Sequence, residues 1–188
     1  MGTSVNQRSA ATANWAAAQA GYRSEIPVER VVQEIWRAAT NQPMGDLARL
    51  LGEPIVAQVG RIAAEGGTPA QVASAATTEI ARSKQGSLAA DIAQRAALQC
   101  LSSQDRVQAF GERLFAEACN YLLSRDLPGF VGGNNRNKTV NDLRSFKSSV
   151  LRTTAEIVNA SGSPDLSNSQ NWRGYVERVV NRLKRQER

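Results

Sequence analysis

The sequence predicts an all-α protein, a single bundle-like domain of many helices preceded by an N-terminal tail. Apolar residues make up 41% of the chain, enough for a core, whereas aromatic residues make up only 5% and alanine is abundant. That mixture suits closely packed helices, since a β-sandwich draws on more β-branched and aromatic side chains. Apolar residues also recur at three- and four-residue spacing along most of the chain, and no segment alternates as a half-buried strand would.

Residues 1–25 are rich in Ser, Thr, Ala, Asn and Gln. They contain little to bury against the entropy of ordering them, which predicts a flexible tail. Trp15 and Tyr22 are its two exceptions, and residues 14–20 have the makings of a transient helix. The helical domain, residues 26–188, opens near Pro27, where Val28, Val31, Val32, Ile35, Trp36 and Ala39 line one helix face. A short helix follows around Leu47, Leu50 and Leu51, closed by Gly52. Pro54 begins another, with Ile55, Val59 and Ile62 facing inward and Gly66-Gly67 as its stop. Thr68 and Gln71 have the spacing of a capping box, with Pro69 between them at the first helical position. The helix they start carries Val72, Ala76 and Ile80.

An alanine-rich helix runs from Ser87 to about Leu101, with Leu88, Ile92 and Ala96 on one stripe. The strongest pattern comes next: Val107, Phe110, Leu114, Phe115, Ala118, Tyr121 and Leu122 hold a stripe over four turns. A glycine- and asparagine-rich loop around Gly132-Gly133 leads to Thr139 and Asp142, which cap a helix bearing Leu143, Phe146, Val150, Ile157 and Val158. After a second loop with Gly162 and Pro164, the last helix presents Trp172, Val176, Val179, Val180 and Leu183. Trp36, Phe110, Leu114, Phe115, Phe146 and Val150 are expected in one core.

Several classes of chemistry have no residues to carry them. The chain contains no histidine, and so lacks the commonest general acid–base and the commonest metal ligand. Two distant cysteines, Cys100 and Cys119, do not make a zinc site and read as buried thiols, with a disulfide as the alternative. No Walker or dinucleotide-binding glycine pattern occurs. The acidic residues are scattered among basic ones at helix-surface spacing. A non-catalytic protein without a metal or bound cofactor is therefore expected. With no apolar run of about 18 residues and no leader-like start, a soluble, cytoplasmic protein without a membrane partner is expected.

Charge is unevenly spread. The chain carries 23 basic and 17 acidic residues, and the excess lies in the basic C-terminal third, residues 127–188. Arg173, Arg178, Arg182, Lys184 and Arg185 surround the apolar stripe of the final helix and are candidate polyanion-binding residues. The plainer account is that they favour a helix C-terminus and keep the surface soluble. Arg136 and Lys138 beside Gly132-Gly133 could likewise face an anion or simply belong to a connector.

The N-terminus reads Met1-Gly2-Thr3-Ser4. The myristoylation pattern needs Ser or Thr where Asn6 stands. Removal of Met1 would leave a glycine α-amine with a pKa of about 7.7–8.0, a usable nucleophile near neutral pH. Met-Gly-Thr-Ser followed by a polar stretch and Trp15 resembles the start of QatB proteins, the small subunits of four-gene Qat antiphage systems. In that family the stretch is usually rich in Gly and Pro; here residues 9–14 read Ser-Ala-Ala-Thr-Ala-Asn. The resemblance implies an adaptor or substrate subunit of a prokaryotic antiviral defence complex. Its companions would be a QueC-like (QatC-type) enzyme, an ATPase and a TatD-like nuclease. It also implies that Gly2 receives a covalent 7-deazaguanine from the QueC-like partner, with Thr3, Ser4 and Trp15 engaging that partner. The residues leave two other expectations open: a nucleic-acid-binding subunit using the basic third, and a plain structural assembly protein.

Overall fold

In the computed structural model the described residues are 16–40, 47–82, 87–127, 131–133 and 135–185. Among them lie nine helices: α1 (residues 16–23), α2 (Val28–Thr40), α3 (Leu47–Leu51), α4 (Pro54–Ala64), α5 (Pro69–Arg82), α6 (Ser87–Cys100), α7 (Arg106–Asp126), α8 (Val140–Asn159) and α9 (Ser169–Lys184). The described residues form no sheet; the sole β-type pairing among them is an isolated bridge between Val131 and Asn137.

Local chemistry explains where the helices start. Thr68 and Gln71 make the reciprocal capping box: the Thr68 amide donates to Gln71 Oε1 at 2.8 Å, and the Gln71 amide to Thr68 Oγ1 at 3.3 Å. Thr139 and Asp142 repeat it at the head of α8, at 2.8 and 3.1 Å. Asp105 caps α7 and Asn168 caps α9. Pro54 and Pro69 stand at first helical positions, where a missing N–H costs nothing.

α7 is the central element, packed against α4, α6 and α8. α4, α5 and α6 pack together on one side of it, α2, α8 and α9 on the other, and α3 bridges to α2, α6 and α9. The α6 contribution is mostly methyl groups, with Ala89, Ala90, Ala93, Ala96 and Ala97 fully buried, which lets helices approach closely. Bulk comes from rings. Trp36 meets Phe115 at 5.5 Å between centroids, Phe115 meets Tyr175 at 6.3 Å, Tyr175 meets Trp172 at 5.5 Å, and Trp172 meets Phe110 at 5.9 Å. Such a chain of contacts ties α2, α7 and α9 into one core. Trp172 also donates from Nε1 to the Leu51 carbonyl at 2.8 Å, fastening α3 to α9. The six residues expected in one core are all there.

Two sequence expectations are corrected. The packed body begins by residue 16, not near Pro27: residues 16–23 are helical, and Ala18 and Tyr22 are fully buried. Tyr22 meets the Phe146 ring edge-on at 6.3 Å, and Gly21 lies against Val31 and Ile26. The segment buries little in bulk, but one ring and one glycine-permitted close approach suffice to dock it. Residues 16–25 therefore do not belong to a tail. Tyr121, placed on the α7 stripe by its spacing, is instead 43% exposed. Cys119 and Leu123, each two residues and so about 160–200° round the helix from Tyr121, are buried, because α7 is covered from more than one side.

Candidate functional site

The final helix does not carry its basic residues as one patch. Trp172, Tyr175, Val176, Val179, Val180 and Leu183 are its buried face. At 100° per residue, Arg178, Arg182 and Arg185 fall on one side of that face and Arg173 and Lys184 on the other. Two of the five are committed to the fold. Arg178 Nε donates to the Ser161 carbonyl at 3.4 Å, with its guanidinium 5.7 Å from the Tyr175 ring centroid. Arg182 donates to the Ala160 carbonyl. Ala160 is the C-cap of α8, so these two cations sit at the partial negative charge of that terminus and satisfy carbonyls that lack helical partners. The dipole they complement is that of α8, not of the helix that bears them.

Arg185 and Arg182 border a cleft of about 300 Å³ whose floor includes Ile157 and Leu183 and whose rim includes Glu29 and Glu156. Next to it, Gln33, almost fully buried, donates from Nε2 to the Lys184 carbonyl at 3.1 Å, joining α2 to the end of α9. Arg173 borders a broad polar depression with Asp165 and Glu177, where the charges are mixed. Asp165 is held below the usual carboxylate range by hydrogen bonds from the Ser167 hydroxyl and amide, and Asn171 adds a further one.

The glycine loop is also used structurally. Gly132 and Gly133 take φ of 78° and 56°, the left-handed region that glycine tolerates. The Gly132 amide donates to the Asn137 carbonyl at 2.8 Å, and Lys138 Nζ donates to the Gly133 carbonyl at 2.9 Å. Arg136 lies over the Phe146 ring, 4.6 Å from its centroid, and donates to the Ile26 carbonyl at 2.8 Å. It thereby links the α1–α2 junction to α8, a role that the sequence signals only as a positive charge near glycines.

Both cysteines are free and buried. Burial pushes the Cys119 thiol up to about 12, against a smaller lowering contribution from Thr154, whose hydroxyl lies 3.7 Å away. Burial also raises Cys100, partly offset by the charge of Arg106. A protonated thiol is a poor nucleophile, so neither is an activated cysteine. Tyr175 is raised as well, by burial first and then by Glu112.

Gly2, Thr3, Ser4 and Trp15 lie outside the described residues. No group of three or more His, Cys, Asp or Glu side chains able to hold a metal occurs among the described residues. No helix among them is long and apolar enough to cross a membrane. Compared with protein-family models, with curated proteins and with solved structures, the chain matches none.

Proposed function

We propose that this chain is the adaptor and modification substrate of a prokaryotic antiviral defence complex. Removal of Met1 exposes the Gly2 amine, and a QueC-like partner joins a 7-deazaguanine carboxylate to it. The partner activates the carboxylate as a mixed anhydride with AMP, releasing pyrophosphate from ATP; the unprotonated amine attacks the acyl carbon, AMP leaves, and the nitrogen loses a proton to become an amide. Glycine offers the least hindered primary amine, and Thr3 and Ser4 keep the entering chain narrow. The observation that carries the proposal is the N-terminal sequence, Met1-Gly2-Thr3-Ser4 followed by a polar stretch and Trp15. These residues precede α1 in the chain. About 14 residues separate Gly2 from α1, a reach of up to about 50 Å at about 3.3–3.6 Å per residue. Such a reach is enough for a docked enzyme to receive Gly2 while the helical body stays outside its pocket.

Co-expression with the QueC-like partner and intact-mass measurement test the proposal. The expected product starts at Gly2 and gains the mass of the deazaguanine acyl group only when the partner is present. Gly2→Pro replaces the primary amine with a hindered secondary one and should abolish the gain. Trp15→Ala should slow modification while leaving the unfolding curve of the body unchanged. An unmodified Gly2 amine alongside a partner shown to be active would refute the proposal.

A further inference from the structure

α8 turns one face away from the protein, and that face is polar and basic. Phe146, Val150, Thr153, Thr154 and Val158 are its buried residues, while Asn141, Arg144, Ser145, Ser148 and Arg152 are exposed. From Leu143 to Ala155 the helix carries Arg144, Lys147 and Arg152 and no acidic residue. The flanking acids stand at its ends. Asp142 is engaged in the N-terminal capping box, where the helix dipole compensates its charge. Glu156 lies 3.8 Å from Arg152, with both side chains mostly exposed, and borders the same cleft as Arg182 and Arg185. Lys147 reaches toward α7, with Nζ 2.9 Å from the Ser124 hydroxyl. Unlike Arg178 and Arg182, neither Arg144 nor Arg152 has its charge directed at a helix terminus.

We propose that this outward face of α8 binds the phosphate backbone of duplex nucleic acid. Eight residues separate Arg144 from Arg152, about 12 Å along the helix axis. Each strand of a duplex presents a charge about every 3.4 Å along its axis, so the face spans several phosphates. Ser145 and Ser148 lie between the two guanidinium groups and supply small hydroxyl donors of the kind that contact phosphate oxygens. A protein partner fits less well. Protein interfaces centre on a buried aromatic or aliphatic anchor, whereas the middle of this face offers Arg and Ser, with the exposed Val140 only at the helix's first position; nucleic-acid interfaces are polar and positively charged. Recognition would be independent of sequence, because nothing on the face is placed to read base edges. The assignment goes beyond the proposed modification at Gly2 and does not depend on it.

Fluorescence anisotropy of a labelled 20-base-pair duplex at increasing salt, using the full chain, tests it. Wild type should bind at 50 mM salt and weaken as salt rises. Each lost phosphate contact removes about 0.9 from the slope of log K against log salt, which at 50 mM amounts to about tenfold in affinity. R144Q/K147Q/R152Q should therefore lose at least a hundredfold and flatten the slope, while R173Q, on the far edge of α9, should bind like wild type. If the triple variant melts early, R144Q/R152Q keeps the Lys147–Ser124 contact and should still lose at least tenfold. No binding by wild type at 50 mM salt overturns the proposal. So does a folded α8 variant that binds as tightly as wild type, or tighter binding of polyglutamate than of the duplex.

Discussion

Gly60 offers a test of the core in which two physical effects oppose each other. It lies in α4 where that helix meets α7, and a Cβ there would fall 2.3, 2.6 and 2.8 Å from Cε1, Cδ1 and Cζ of Phe110. The ring has little room to withdraw, because Phe110 is fully buried and leans on Trp172 at 5.9 Å. Helix propensity alone makes Gly→Ala stabilising by about 0.8–1.0 kcal/mol. Overpacking costs about 1–3 kcal/mol, and a contact pinned from behind belongs in the upper half of that range. Gly60→Ala should thus destabilise by a net of about 1–2 kcal/mol, lowering the melting temperature by roughly 2–8 °C in a chain of this size. Gly174→Ala in α9 is the control: a Cβ there meets nothing within 4 Å, so propensity should act alone and stabilise. Urea unfolding followed by far-UV circular dichroism reads both. Phe110→Leu makes room for the methyl group, so the double variant should be more stable than the two single changes sum to, by about 1 kcal/mol. A Gly60→Ala protein as stable as wild type or more so would mean that the α4–α7 contact is not the one described.

Two further outcomes are expected. Trp172→Phe keeps most of the packing but removes the donor to the Leu51 carbonyl, which should cost about 1–3 kcal/mol; an unchanged urea midpoint would show that the bond adds nothing. Cys119, raised from 9.0 to about 12 by burial, stays protonated in the folded chain where an unfolded thiol would ionise. The folded state binds the proton more tightly, so stability should be intact below pH 9 and fall as pH rises from 9 towards 12. Cys119→Ala should flatten that fall, and thiol reagents at pH 7 should label Cys119 only after denaturation.

Helix starts were legible because they rest on local chemistry. Thr68 with Gln71, and Thr139 with Asp142, are three-residue patterns whose partners are the backbone itself. Core faces were legible where a helix is covered from one side, as in α9. They were misread where burial wraps around, so that Tyr121 seemed inward and Leu123 went unnoticed. The start of the body was misjudged because α1 is held by distant residues: Tyr22 is explained by Phe146, and the Ile26 carbonyl by Arg136. The basic third was visible as composition, but its division was not. Only the packed structure separates Arg178 and Arg182, spent on the carbonyls ending α8, from the outward Arg144 and Arg152. The residues bearing the family resemblance precede α1, so the fold and the proposed modification site rest on different parts of the chain.

The Arg136–Ile26 link has a consequence for events during synthesis. Its two ends are 110 residues apart in the chain, and Phe146, against which both Arg136 and Tyr22 pack, is further downstream still. At about 5–20 residues per second, a ribosome needs roughly 6–25 seconds after making Tyr22 to complete the surface that receives it. During that interval Tyr22 lacks the ring that it packs against in the finished chain. A nascent chain stalled before residue 136 would hold α1 without the Arg136 link or the Phe146 contact.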